Sequence, residues 1–147
     1  MITKLVQVET YKELLVILND LTNLIINKGI TILRTKIEVC PDSLVNVHTP
    51  PLYVETHVEV GRFISSKIIS QNKFLTEYLL SRNLSKRSKV SLTYRDYDVN
   101  LGHHKILNDW STLQNKYSDF SNSLEIEFCI MDTNLQLDTK WVNNDVS

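Results

Sequence analysis

Leu14, Ile17, Leu18, Leu21, Leu24 and Ile25 recur at three- and four-residue spacing, opposite Lys12, Asn19, Asp20 and Asn27. That period predicts an amphipathic helix. Thr10 followed by Glu13 has capping-box spacing at its start, and Lys28-Gly29 supplies the stop. From Ile30 the period changes to two, with Leu33, Ile37 and Val39 on one side of a predicted strand and Arg34, Lys36 and Glu38 on the other. Pro41, Asp42, Ser43 and Pro50-Pro51 mark a loop. Alternation resumes from Leu52 to Val60, where Val54, Val58 and Val60 oppose Tyr53, Glu55, His57 and Glu59. These two strands are expected to pair antiparallel.

After Gly61, the positions Ile64, Ile68, Leu75 and Leu79 predict a second helix reaching about Leu80. The alternative is an extended segment from Tyr78, with Ser81 to Ser88 as a hairpin loop. Val90, Leu92 and Tyr94 alternate with Lys89, Ser91, Thr93, Arg95 and Tyr97 in a third strand. Ile106, Trp110, Leu113 and Tyr117 set a third helix over Leu101 to Tyr117. Leu124, Ile126, Phe128 and Ile130 then alternate with Glu125, Glu127, Cys129 and Met131 in the last clear strand, and Leu135, Leu137, Trp141 and Val142 are expected to dock. With Thr3 to Val8 as an initial strand, the expected class is α+β, a mainly antiparallel sheet with helices on one face. Its first six elements match a ferredoxin-like βαββαβ unit, extended by an additional αβ. The other sheet face is polar, as antiparallel sheets permit.

Composition narrows this little. The 147 residues read as one domain, and 42% hydrophobic with 22% charged is an ordinary globular balance. A net charge of -1 argues against nucleic acid or an anionic membrane as partner. Met1 to Glu9 has no basic cluster leading into an apolar run, and Leu14 to Ile26 is interrupted by Asn19, Asp20 and Asn23, so neither a secretory leader nor a membrane span is predicted. The cytoplasm is the expected compartment. Cys40 and Cys129 lack the paired spacing of zinc or redox motifs.

The candidate chemistry lies on the polar face. His57 is the expected proton-transfer group, because its reference pKa lies nearest neutrality, and Glu55 is expected to orient it. Arg34, Lys36, Arg82 and Arg95 are the expected anion holders, with Glu38, Asn83, Thr93 and Glu127 completing the ligand-binding set. The expected ligand is small and anionic or phosphorylated. A non-catalytic interaction or scaffold domain is the main alternative, and a metal-dependent or acid/base phosphoester hydrolase the other. A metal would need a further ligand, such as Glu38 or Glu127, beside Glu55, His57 and Glu59. Three neighbouring cations oppose it, so no metal is assigned, and no cofactor is named. Ser81 to Lys89 is the densest basic segment, and Tyr53 and Tyr97 offer stacking rings, but the glutamates on the face would repel a nucleic-acid backbone. His103-His104 falls outside the strands and is expected at the surface.

From Arg34 to Val142 the chain resembles a family of small, mostly bacterial proteins of uncharacterised activity. The resemblance rests on Lys36-Ile37-Glu38, Tyr53-x-Glu55-x-His57, Leu80-Ser81-Arg82-Asn83, Leu92-Thr93-x-Arg95, Glu127-Phe128, Asp132-x-Asn134-Leu135-x-Leu137-Asp138 and Trp141. It implies that these positions act as a set, and it implies no reaction. The family pattern has lysine where this chain has Glu59. Its tail motif adds Asp132, Asn134 and Asp138 as polar candidates, against the ordinary use of Asp and Asn to close turns.

Overall fold

The computed structural model describes residues 2–46, 48–61, 70–82, 89–117 and 123–138, with only the backbone described at 44–46, 60–61, 80–82, 89–90 and 137–138. Helix α1 (Tyr11–Asn27) starts as its capping box predicts, with the Glu13 amide donating to Thr10 Oγ1 and the Thr10 amide donating back to Glu13 Oε2. Gly29, at φ 73°, turns the chain away just beyond it. None of the α1 residues is buried.

The sheet has five strands: β1 (Lys36–Val39), β2 (Tyr53–Gly61), β3 (Leu79–Arg82), β4 (Lys89–Asp96) and β5 (Leu124–Asp132). Their order is β1-β5-β2-β4-β3, with every pairing antiparallel. Helix α2 (Val99–Lys116) packs on one face, over β2 and β4. Asp98 caps it by accepting from the Leu101 amide at 3.1 Å. Gly102 lets it approach closely, since a Cβ there would lie 2.4 Å from Asp96 Cβ and 2.7 Å from Val54 Cγ1. Beneath the helix the core forms two clusters. Ile106 packs with Val54, Tyr94 and Phe128, and Leu113 with Val58, Leu75 and Leu92. The architecture is α+β with an antiparallel sheet.

Several expectations change. Thr3 to Val8 forms no strand, and Leu5 is 99% exposed. The initial strand of a ferredoxin-like unit is therefore missing. The strand expected from Ile30 begins only at Lys36, and it pairs with β5 instead of β2. The long segment between β1 and β2, which holds a 3-10 helix at Pro41–Asn46, leaves room for β5 to enter between them. Most of the second predicted helix lies outside the described residues. Its far end is a 3-10 turn at Lys73–Glu77 followed by β3, which matches the extended alternative except that Ser81 and Arg82 lie in the strand and not in the expected hairpin loop. Trp141 and Val142 also lie outside the described residues. Among the described residues no helix is long and apolar enough to cross a membrane.

Candidate functional site

Strand β2 is central, so its non-helix face is bordered on both sides. Glu55 stands between Arg95 of β4 and Glu127 of β5, and His57 between Thr93 and Glu125. Glu38 of β1 pairs with Cys129. A single irregularity completes the face. Ile37 pairs with Met131 and Glu38 with Cys129, so Ile130 has no partner on β1. Such a bulge reverses the alternation beyond it. Asp132, which strict alternation would turn toward the helix, reaches the polar face instead.

Glu55 is only 5% exposed and anchors the centre. Lys36 Nζ donates to its Oε2 at 2.6 Å, and Arg95 Nη2 lies 3.2 Å from both of its oxygens. Lys36 also pairs with Glu38. Burial pulls the Lys36 ammonium pKa down, but hydrogen bonds to Glu38 and Glu55 outweigh it and leave the pKa raised. The Arg95 guanidinium carbon lies 4.2 Å from the Tyr53 ring centroid, a cation–π stack that helps to close Tyr53 to solvent.

A second group adjoins this one. Arg34 grips Asp132 with two nitrogens, at 2.9 and 2.5 Å, and the Tyr53 hydroxyl donates to Asp132 Oδ2 at 2.8 Å. Burial raises the Asp132 carboxyl, but bonds from Arg34, the Asn134 amide and Tyr53 prevail and hold its pKa at about 2.

The third group contains the imidazole. His57 Nδ1 shares a hydrogen bond of 2.9 Å with Thr93 Oγ1, which fixes the ring. Its Nε2 lies 3.9 Å from Glu55 Oε1 and 3.8 Å from Glu127 Oε2. Those separations allow ion pairing but exceed hydrogen-bonding distance. Burial and the neighbouring Glu38 carboxylate push the Glu127 carboxyl up to about 7, and a hydrogen bond to Glu38 acts in the same direction. Its surroundings therefore favour the protonated, neutral form of Glu127 more than those of an ordinary carboxyl do.

The structure thus brings together Arg34, Lys36, Glu38, Glu55, His57, Thr93, Arg95 and Glu127, but not in the roles expected of all of them. Arg34, Lys36 and Arg95 do not stand open to an anion, since each already meets a carboxylate. Thr93, and not Glu55, makes the hydrogen bond that orients His57. Asn83 lies outside the described residues, and only the backbone of Arg82, in β3, is described. Among the described residues no three His, Cys, Asp or Glu side chains are grouped to hold a metal ion. His104 is exposed as expected, whereas His103 packs edge-on against Phe128 at 5.3 Å. Asp132 was visible beforehand only through the tail motif, because a bulge leaves no mark in hydrophobic periodicity. Compared with known protein families, curated proteins and solved structures, the chain finds no match in any of the three.

Proposed function

We propose that the polar sheet face is a small-ligand site built for proton exchange, with His57 and Glu127 as the exchanging pair. The observation that supports it is His57 itself: Nδ1 is tied to Thr93, while Nε2 is held between two carboxylates at distances too long for hydrogen bonds. A ligand atom that caps the two from the open face, rather than lying between them, reaches hydrogen-bonding distance of both Nε2 and Glu127 Oε2, one able to accept a proton and the other to donate it. Arg95, Glu55, Lys36 and Glu38 alternate in sign and cancel, which leaves His57, Glu125 and Glu127 to set the charge of this end of the face. Thr93 is the positioning residue for His57, and Glu55, fixed by its two cations, is the second carboxylate beside Nε2.

A second reading keeps the anionic or phosphorylated ligand expected from the sequence. It is favoured by the convergence of Arg34, Lys36 and Arg95 on one face, and it requires the ligand to displace Glu55 or Asp132. A thermal-shift screen separates the two, because a ligand that binds only the folded state raises the melting temperature. Inorganic phosphate, sugar phosphates, nucleotides, small carboxylates and neutral sugars are tested against wild type, His57→Ala and Arg95→Lys. A shift abolished by His57→Ala supports the proton-exchange site. A shift confined to phosphates and carboxylates, abolished by Arg95→Lys and retained by His57→Ala, supports the anion site instead. If no compound stabilises wild type, or if every compound stabilises wild type and both variants alike, both readings fail and a scaffold or interaction domain takes their place.

A further inference from the structure

On the helix side of the sheet, away from the face just described, Lys105 of α2 places its ammonium among three aromatic rings. Nζ lies 5.3 Å from the Tyr94 centroid and 5.9 Å from those of Tyr78 and Phe74. Two carboxylates complete the surround, Asp109 at 2.8 Å and Glu77 at 3.3 Å. The rings come from different parts of the chain. Phe74 lies in the 3-10 turn at Lys73–Glu77, Tyr78 just after it, and Tyr94 on β4.

The two tyrosines of this cage have contacts besides Lys105, although Asp109 Oδ2 is shared with its ammonium. The Tyr78 and Tyr94 centroids are 5.1 Å apart, the Tyr78 hydroxyl donates to Asp109 at 3.0 Å, and the Tyr94 hydroxyl donates to Asp96 at 2.6 Å. Two tethered phenols, a third ring and two carboxylates make the surround that an organic cation needs, with π faces for its methyl groups and a counter-charge for its nitrogen. The geometry points to an alkylammonium-binding site formed by Phe74, Tyr78, Tyr94, Glu77 and Asp109, in which Lys105 is the resident cation that an external one displaces. Lys105 is suited to that part. Its stem is flexible, its side chain is one-quarter exposed, and its ammonium binds through hydrogen bonds to carboxylates more than through the rings. An N-methylated or quaternary amine reverses that balance, because methyl groups lose nothing by leaving water for a ring face.

A tethered competitor acts at high effective concentration, so wild type binds such a cation weakly and loss of the Lys105 ammonium strengthens binding. The test titrates tetramethylammonium chloride against wild type, Lys105→Ala and Lys105→Ala/Phe74→Leu, with sodium chloride at matched ionic strength as reference. Both thermal stability and the aromatic proton resonances are read. Lys105→Ala is expected to bind at least tenfold more tightly than wild type, and the added Phe74→Leu to reverse the gain. Lys105→Gln replaces the alanine variant if that fails to fold. In wild type, excess tetramethylammonium is expected to shift the ring resonances of Tyr94 and Phe74. The inference is overturned if those resonances follow the sodium chloride reference, or if wild type and the Lys105 variants respond alike.

Discussion

On one side of β2, Val54 and Val58 lie beneath α2 with Ile106 and Leu113. On the other side Tyr53 and Glu55 lie beneath Arg95 and Lys36, and these two residues are as well closed to solvent as the valines. One side is closed by apolar contact and the other by charges that satisfy one another above an aromatic ring. The difference lies in how each side fails. An apolar contact loses energy in proportion to the atoms removed, whereas a buried charge whose partner is deleted keeps its full desolvation cost. The ionic side is therefore sensitive to pH and fails when a single charge is lost, whereas the apolar side loses stability in proportion to the atoms removed.

The largest effect is expected on the apolar side. Leu92→Ala removes a side chain that is 1% exposed and should cost about 2–5 kcal/mol. Urea unfolding should show a lower midpoint at unchanged slope, and a cost below about 1 kcal/mol would mean that this half of the core readily collapses.

Glu55→Gln comes next, because Lys36 and Arg95 then face each other across an uncharged amide. The expected cost is about 3 kcal/mol, well above the ~1 kcal/mol ceiling of an exposed ion pair. A second change, Lys36→Met, should recover part of the loss. If Glu55→Gln behaves like a surface mutation, the claim that the ionic side is as closed as the apolar side fails.

The pH effect is the sharpest in direction. The Glu127 carboxyl, ordinarily near 4.5, stands at about 7 in the folded chain, so the stability it contributes is complete below 4.5 and is lost as the pH rises through 7. The wild-type melting temperature should fall over that window, and Glu127→Gln, which cannot ionise, should flatten the fall. Asp132 acts in the opposite direction. Its carboxyl is lowered from 3.8 to about 2, so its contribution is present above 3.8 and lost as the pH falls toward 2. Glu127→Gln should leave this acid limb unchanged, and a parallel loss of both limbs would show that the two carboxylates do not titrate separately.

Much of this was legible in the chain. The capping box of Thr10 and Glu13, the α2 stripe of Ile106 and Leu113, and the division of β2 into Val54/Val58 and Tyr53/Glu55/His57 follow from local rules: side-chain direction repeats every two residues in a strand and every 3.6 in a helix. These patterns are properties of a short segment. The segment carries no record of its neighbours. The entry of β5 between β1 and β2, the bulge at Ile130 that brings Asp132 onto the polar face, and the capture of Arg34, Lys36 and Arg95 by carboxylates all depend on pairings between distant residues. The sequence by itself thus determined which side chains of each strand share a face, Asp132 beyond the bulge excepted. Only the tertiary structure decided how they pair, because burial and electrostatic partnership depend on strand order and register, which alternation does not encode.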